Sequence, residues 1–201
     1  MGRFALACLA AVGLAVGPAQ AGEFNKKLSI GDAAPAFTGL EGVDGKKHGL
    51  ADLKGKDVVV ICVTCNNCPV AVAYEDRMID FVKKHCGSAD SKVGFVAICV
   101  SNLEADKLPK MKERAKEKGF NFPYIRDPSQ KTGKDYGATV TPEFFVLDKD
   151  RKIVYMGALD DSQNPDKAKT NYLNAAVTAA LEGKKPEKNE TRPVGLSIKY
   201  D

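Results

Sequence analysis

Apolar residues along this chain gather in two kinds of run. Val58-Val59-Val60-Ile61-Cys62-Val63 and the stretch Val93 to Val100 are continuous, uncharged and rich in β-branched residues, as in strands buried on both faces in the middle of a sheet. Elsewhere apolar positions recur at helical spacing. Val72, Met78, Ile79, Val82 and Cys86 follow Pro69 and stop at Gly87; Leu108, Met111 and Ala115 punctuate the charged stretch Glu104 to Lys118, which Gly119 closes. Pro109 fits only a first turn, so that helix begins near Leu108. Phe122 to Ile125 predicts a short strand and residues 129–136 a short helix. Phe144 to Leu147 and Ile153 to Met156 predict strands around the turn Asp148-Lys149-Asp150-Arg151. Asn164-Pro165 predicts a capped helix running to Leu181 and stopping at Gly183.

The resulting order, β-α-β-α-β-(α)-β-β-α, implies an α/β protein with a mixed central sheet and helices on both faces. Residues 22–57 are Gly-rich and polar, with only short apolar pieces. Glu182 to Pro193 reads as an exposed polar tail, and Val194 to Tyr200 as either an edge strand or a surface segment.

Composition narrows the class. The chain has 201 residues, 44% apolar and 28% charged, which excludes a disordered, collagenous or repeat-built protein. A net charge of +4 from 30 basic and 26 acidic residues is too balanced for a nucleic-acid binder. Arg3, the apolar run Phe4 to Val16 and the small-x-small motif Ala19-Gln20-Ala21 predict a signal peptide over residues 1–21. The run is too short to cross ~30 Å of hydrocarbon. The expected product is exported, periplasmic or extracellular, with no membrane span after cleavage. It comprises one domain over 22–183 and a polar tail over 184–201.

Removing the signal peptide discards Cys8 and leaves Cys62, Cys65, Cys68, Cys86 and Cys99. Cys65 and Cys68 form a C-x-x-C where a buried strand gives way to a helix. Pro69, which has no N–H, sits in the first helical turn, so both sulfurs are expected at the positive end of that helix. Such a place lowers a thiol pKa from ~8.5 toward neutrality and makes a nucleophile, while the spacing lets the second thiol resolve a mixed disulfide. The triplet Cys62-x-x-Cys65-x-x-Cys68 also resembles an iron–sulfur run, but Val72 stands where a fourth cysteine would be needed. His48 and His85 are the only histidines available to zinc. Cys62 and Cys99 read as core thiols, and a Cys86–Cys99 bridge stays open.

Four motifs, in order, resemble the thioredoxin superfamily, and within it the peroxiredoxin-like redoxin group related to alkyl hydroperoxide reductase and thiol-specific antioxidant proteins. They are Gly31-Asp32-Ala33-Ala34-Pro35-Ala36-Phe37, Leu53-Lys54-Gly55-Lys56, Thr64-Cys65-Asn66-Asn67-Cys68-Pro69, and Thr141-Pro142 before Phe144-Phe145-Val146-Leu147-Asp148. The likeness spans about Leu28 to Leu181 and implies a thioredoxin-like fold in which Thr141-Pro142 is a cis-proline loop facing the cysteines. A cis X-Pro turn presents a neighbouring backbone to an extended substrate.

The resemblance implies Cys65 as nucleophile, Cys68 as resolving thiol, and Thr64, Thr141 and Pro142 as substrate contacts, with no cofactor. It also leaves a peroxidase open. A peroxiredoxin has Thr at the position of Cys65 and a reactive Cys-Pro matching Cys68-Pro69, but the Arg expected near Pro142 is missing. The third reading is a metal-binding module on Cys65 and Cys68. Expected partners are a protein or small-molecule disulfide, or a peroxide, and a thiol electron donor.

Overall fold

The computed structural model describes residues 22–201; the expected signal peptide lies outside the described residues. In chain order the elements are β1 (Leu40–Gly42), β2 (Lys47–His48), β3 (Val58–Thr64), α1 (Pro69–Cys86), β4 (Val93–Cys99), α2 (Leu108–Lys118), β5 (Tyr124–Arg126), α3 (Lys131–Tyr136), β6 (Val140–Thr141), β7 (Glu143–Leu147), β8 (Ile153–Gly157), α4 (Tyr172–Leu181) and β9 (Leu196–Ser197). Seven strands form one mixed sheet in the order β2-β1-β5-β4-β3-β7-β8, and β6 pairs with β9 apart from it.

β3 and β4, the two continuous apolar runs, lie parallel at the centre, with Val58 opposite Val93 and Thr64 opposite Cys99. The pleat sends alternate side chains to opposite faces. Val58, Val60 and Cys62 therefore join Met78, Phe81, Met111 and Val177 in one core, beneath α1, α2 and α4. Val59, Ile61 and Val63 join Phe37, Leu50 and Tyr136 in the other. Two buried carboxylates lock α1 against its neighbours. Glu75 takes a bidentate bond from Arg114 of α2 (2.9 and 2.6 Å), and Asp160, after β8, takes a single bond from Arg77 (2.6 Å).

Two expectations need correction. The polar N-terminal region contributes β1 and β2, a short hairpin that extends the sheet through β5. The helix expected from Pro165 begins at Tyr172 instead. Asn164 does cap, but only a single 3-10 turn, Pro165–Lys167. Asp161 then takes the Lys169 N–H on its carboxylate and donates its own N–H to Thr170 O, folding the chain back before Asn171 caps α4.

The polar stretch after Gly183 lies largely on the surface but is tied down. The Glu190 carboxylate accepts from the N–H groups of Glu23, Phe24 and Asn25 (2.7–3.0 Å), and Thr191 N–H bonds Met156 O at 3.0 Å. Of the two readings for Val194 to Tyr200, the structure has the strand. β9 runs antiparallel to β6, with Leu196 opposite Thr141.

Candidate active site

β3 is buried to its last residue, and Cys65 is the first to leave the sheet, half-buried. Three residues on, Cys68 has extended backbone and caps α1, with Pro69 at the first helical position. Its sulfur accepts the Ala71 N–H (3.4 Å), donates to Thr141 O (3.0 Å) and is only 3% exposed. The turn between them is held from below by Asp106, which is fully buried. Its Oδ1 accepts the N–H groups of Asn66 and Asn67 (2.7 and 2.9 Å), and its Oδ2 accepts the Ser101 hydroxyl (2.6 Å). The Asn66 side chain is fixed by Ala105 O and by the Tyr124 hydroxyl.

Opposite stands the proline loop, and the Thr141–Pro142 bond is cis, as the motif implies. Thr141 Oγ1 lies 3.5 Å from Cys65 Sγ. Glu143, 3% exposed, turns back beneath this loop and accepts the N–H groups of Thr139 (2.8 Å) and Val140 (3.4 Å). A cleft of about 360 Å³ opens between the loops. Cys65, Cys68 and Thr141 line it with Asn67, Leu103, Asp106, Leu196 and Lys199; Thr64 and Pro142 do not. Thr64 instead ends β3 against Cys99.

The electrostatics reverse one expectation. Cys65 is not lowered toward neutrality. Desolvation pushes its thiol up to about 11, the Asp106 and Cys68 charges add to the rise, and the Thr141 hydroxyl pulls the other way. The physical reason is placement. Cys65 sits before the helix, largely desolvated and beside the buried Asp106 carboxylate, and these outweigh the Cys68 N–H and the Thr141 hydroxyl that favour its thiolate. Burial also pushes Cys99 up to about 12 and Cys62 well above its ordinary value, which suits core thiols.

All five described cysteines are free thiols, so Cys86 and Cys99 form no bridge here. His48 bonds Asp44 and His85 bonds Asn174. No group of three His, Cys, Asp or Glu side chains among the described residues could hold a metal ion, which leaves the metal reading without a third ligand. Asp106 and Glu143 were not anticipated as site residues. Asp106 is embedded in the charged stretch Glu104 to Lys118, and neither carboxylate carries a motif.

Central parallel strands flanked by antiparallel β7 and β8, a C-x-x-C at the head of α1 and a cis-proline opposite define a thioredoxin-like α/β fold. The Redoxin family model matches residues 29–174, and the chain belongs to that family; it is an oxidoreductase. The thiol-disulfide oxidoreductase ResA of Bacillus thuringiensis is 31% identical over 133 residues, 65% of this chain and 70% of that protein. An uncharacterized conserved protein from Geobacillus kaustophilus superposes with a TM-score of 0.79 at 34% identity, over 86% of this chain and 93% of the other. The thioredoxin domain of a thiol-disulfide oxidoreductase from Bacteroides vulgatus, at 20% identity and a TM-score of 0.52, covers 64% of this chain and 88% of its own. That last likeness is one of fold alone. No helix among the described residues is long and apolar enough to cross a membrane.

Proposed function

We propose that this protein is an exported thiol–disulfide oxidoreductase whose Cys65–Cys68 dithiol gives electrons to a disulfide. One observation carries the reading: of two thiols that meet at Thr141 and line the cleft, Cys65 is only half-buried, whereas Cys68 is 3% exposed. The Cys65 thiolate attacks one sulfur of the substrate disulfide, forms a mixed disulfide and expels the first substrate thiol, which takes a proton. Cys68 gives up its proton and attacks Cys65 Sγ, closing the Cys65–Cys68 disulfide and releasing the second thiol. Two electrons and two protons leave the dithiol, and an external thiol donor restores it.

The raised Cys65 pKa supports electron donation. A dithiol whose thiolate is not stabilised holds its disulfide firmly, the opposite of a strong oxidant such as DsbA. The relative ResA, a thiol-disulfide oxidoreductase, agrees with disulfide chemistry. The peroxidase reading has less support, because Cys68 is nearly inaccessible and the cleft lining offers a lysine but no guanidinium. Export rests on the signal-like residues 1–21, with the redoxin domain over 22–183 and the polar tail over 184–201. A mature N-terminus at Gly22 in protein recovered outside the cytoplasm would support it; retention of residues 1–21 would overturn it.

The test is trapping. Reduced Cys68→Ser should accumulate a mixed disulfide at Cys65 with a small aromatic disulfide, seen by mass spectrometry, and Cys65→Ser should form none. A Cys65→Ser protein that still exchanged at the wild-type rate would sink the assignment. Peroxide consumption by the wild type far above that of a free thiol would transfer it to Cys68.

A further inference from the structure

The Thr141 backbone, where an extended substrate would pair, is already taken by the chain itself. β9 lies antiparallel on β6, with Leu196 opposite Thr141 and Ser197 opposite Val140, and Ile198 N–H continues the ladder to Thr139 O at 2.9 Å. A strand edge has one row of N–H and C=O groups, and one partner uses it up.

The pairing is built in. Gly195 passes so close to Thr141 that a Cβ there would stand 2.2 Å from its carbonyl oxygen. Gln130, buried and held at a φ of 60°, a conformation unfavourable for a residue other than glycine, spends its side-chain amide on this segment. Its Nε2 donates to Lys199 O and Val100 O, and its Oε1 accepts the Asp201 N–H. The Tyr200 hydroxyl donates to Ala138 O (2.8 Å), and Asn102 donates to the Asp201 carboxylate (2.7 Å). The segment then forms one wall of the cleft. Leu196, 50% exposed, and Leu103 of the neighbouring loop, also 50% exposed, both line it with Cys65. About 360 Å³ is the size of a small-molecule site.

We propose that β9 is a specificity element that occupies the peptide-pairing edge beside Cys65 and restricts the site to low-molecular-weight disulfides bearing an apolar or aromatic arm. This deepens the functional reading above and rests on Cys65 being the attacking thiol. The chemistry is unchanged: Cys65 attacks, a mixed disulfide forms, and the leaving thiol departs with its proton. Only the class of molecule admitted to Cys65 is restricted.

Two probes with the same aromatic leaving thiol isolate this effect: a nitrothiobenzoate mixed disulfide of N-acetylcysteine, and one of an unstructured peptide with a single central cysteine. Both report release of the coloured thiol from reduced, full-length protein. Wild type should favour the short probe by roughly tenfold, the cost of pressing one or two peptide backbone groups against β9 with no hydrogen-bond partner. Gly195→Ala and Gln130→Gly, which push β9 off or remove the amide that ties down the segment after it, should each raise the peptide rate toward the short-probe rate and leave the latter within about threefold. Thermal melts confirm that both variants are folded, and the wild-type ratio needs no variant. Equal wild-type rates on the two probes, or an unchanged ratio in both folded variants, overturn the proposal while leaving the oxidoreductase reading intact. A wild type whose Cys65 attacks neither probe overturns that reading and the proposal with it.

Discussion

Two loops face each other across the cleft, and each is held from beneath by a buried carboxylate that accepts consecutive backbone N–H groups. Under the C-x-x-C turn, Asp106 makes three short bonds, to Asn66 N, Asn67 N and the Ser101 hydroxyl, at 2.7, 2.9 and 2.6 Å. Under the proline loop, Glu143 makes one short bond, to Thr139 N at 2.8 Å; its contacts to Val140 N and the Thr139 hydroxyl stretch to 3.4 and 3.5 Å. Burial, reinforced by the Glu190 charge, pushes Glu143 up to about 7, against the pull of those N–H groups. The same device thus serves two ends. The loop carrying the sulfurs is pinned by full hydrogen bonding, whereas the loop facing it is held by a group that titrates near neutrality.

The strongest way to break this comparison is to remove the better anchor. Asp106→Ala leaves two backbone N–H groups and a hydroxyl without their acceptor, and should cost about 3–4 kcal/mol in denaturant unfolding. Asp106→Asn keeps an acceptor oxygen and should cost less. Both remove a negative charge that raises the Cys65 pKa, so folded Asp106→Asn should be alkylated by iodoacetamide several-fold faster than wild type at pH 7. Loss of stability together with a gain in thiol reactivity is the signature. A variant both less stable and slower would show that Asp106 serves Cys65 by position rather than by charge.

What was legible beforehand follows the range of the interactions. Val58 to Val63 and Val93 to Val100 declare central strands by composition alone, and Pro69 and Pro109 mark helix starts because a missing N–H acts locally. The C-x-x-C and Thr141-Pro142 were readable as motifs, and the structure brings them together as the resemblance implies. Asp106 was not readable. Its partners Asn66 and Asn67 lie in another part of the chain, and among the neighbouring charges nothing distinguishes it. β9 is two residues long, too short for alternation, and exists through its pairing with β6. The Cys65 acidity was misjudged because burial and the distant Asp106 carboxylate, neither of which the motif reveals, outweigh the Cys68 N–H and the Thr141 hydroxyl that favour the thiolate.

The second effect concerns Glu143. A carboxyl raised from 4.5 to about 7 on folding holds extra protons in the native state between those pH values. Its stabilising contribution is complete below about pH 4.5 and is lost as pH rises through about 7, by roughly 3 kcal/mol over the window. Glu143→Gln removes the titration while keeping an acceptor for Thr139 N–H. The difference in unfolding free energy between variant and wild type should therefore change with pH from 4.5 to 8 in favour of the variant, then level off. A constant difference over that range would mean that Glu143 is ionised throughout, and the contrast between the two anchors would vanish.

The smallest effect tests the contact between the loops. The Thr141 hydroxyl, 3.5 Å from Cys65 Sγ, is the main influence lowering a thiol otherwise driven up to about 11. Thr141→Val keeps the branched shape and the backbone carbonyl that bonds Cys68, and deletes only the hydroxyl. The Cys65 alkylation profile should still climb about tenfold per pH unit below its inflection, as for any thiol titrating there. The whole curve should move to higher pH by a fraction of a unit, slowing the reaction at pH 8 by about two- to threefold, or roughly 0.5 kcal/mol. A superimposable profile would show that the hydroxyl gives the thiolate no support. The proline loop would then act on Cys65 through shape and backbone alone, the part of the site that β9 already covers.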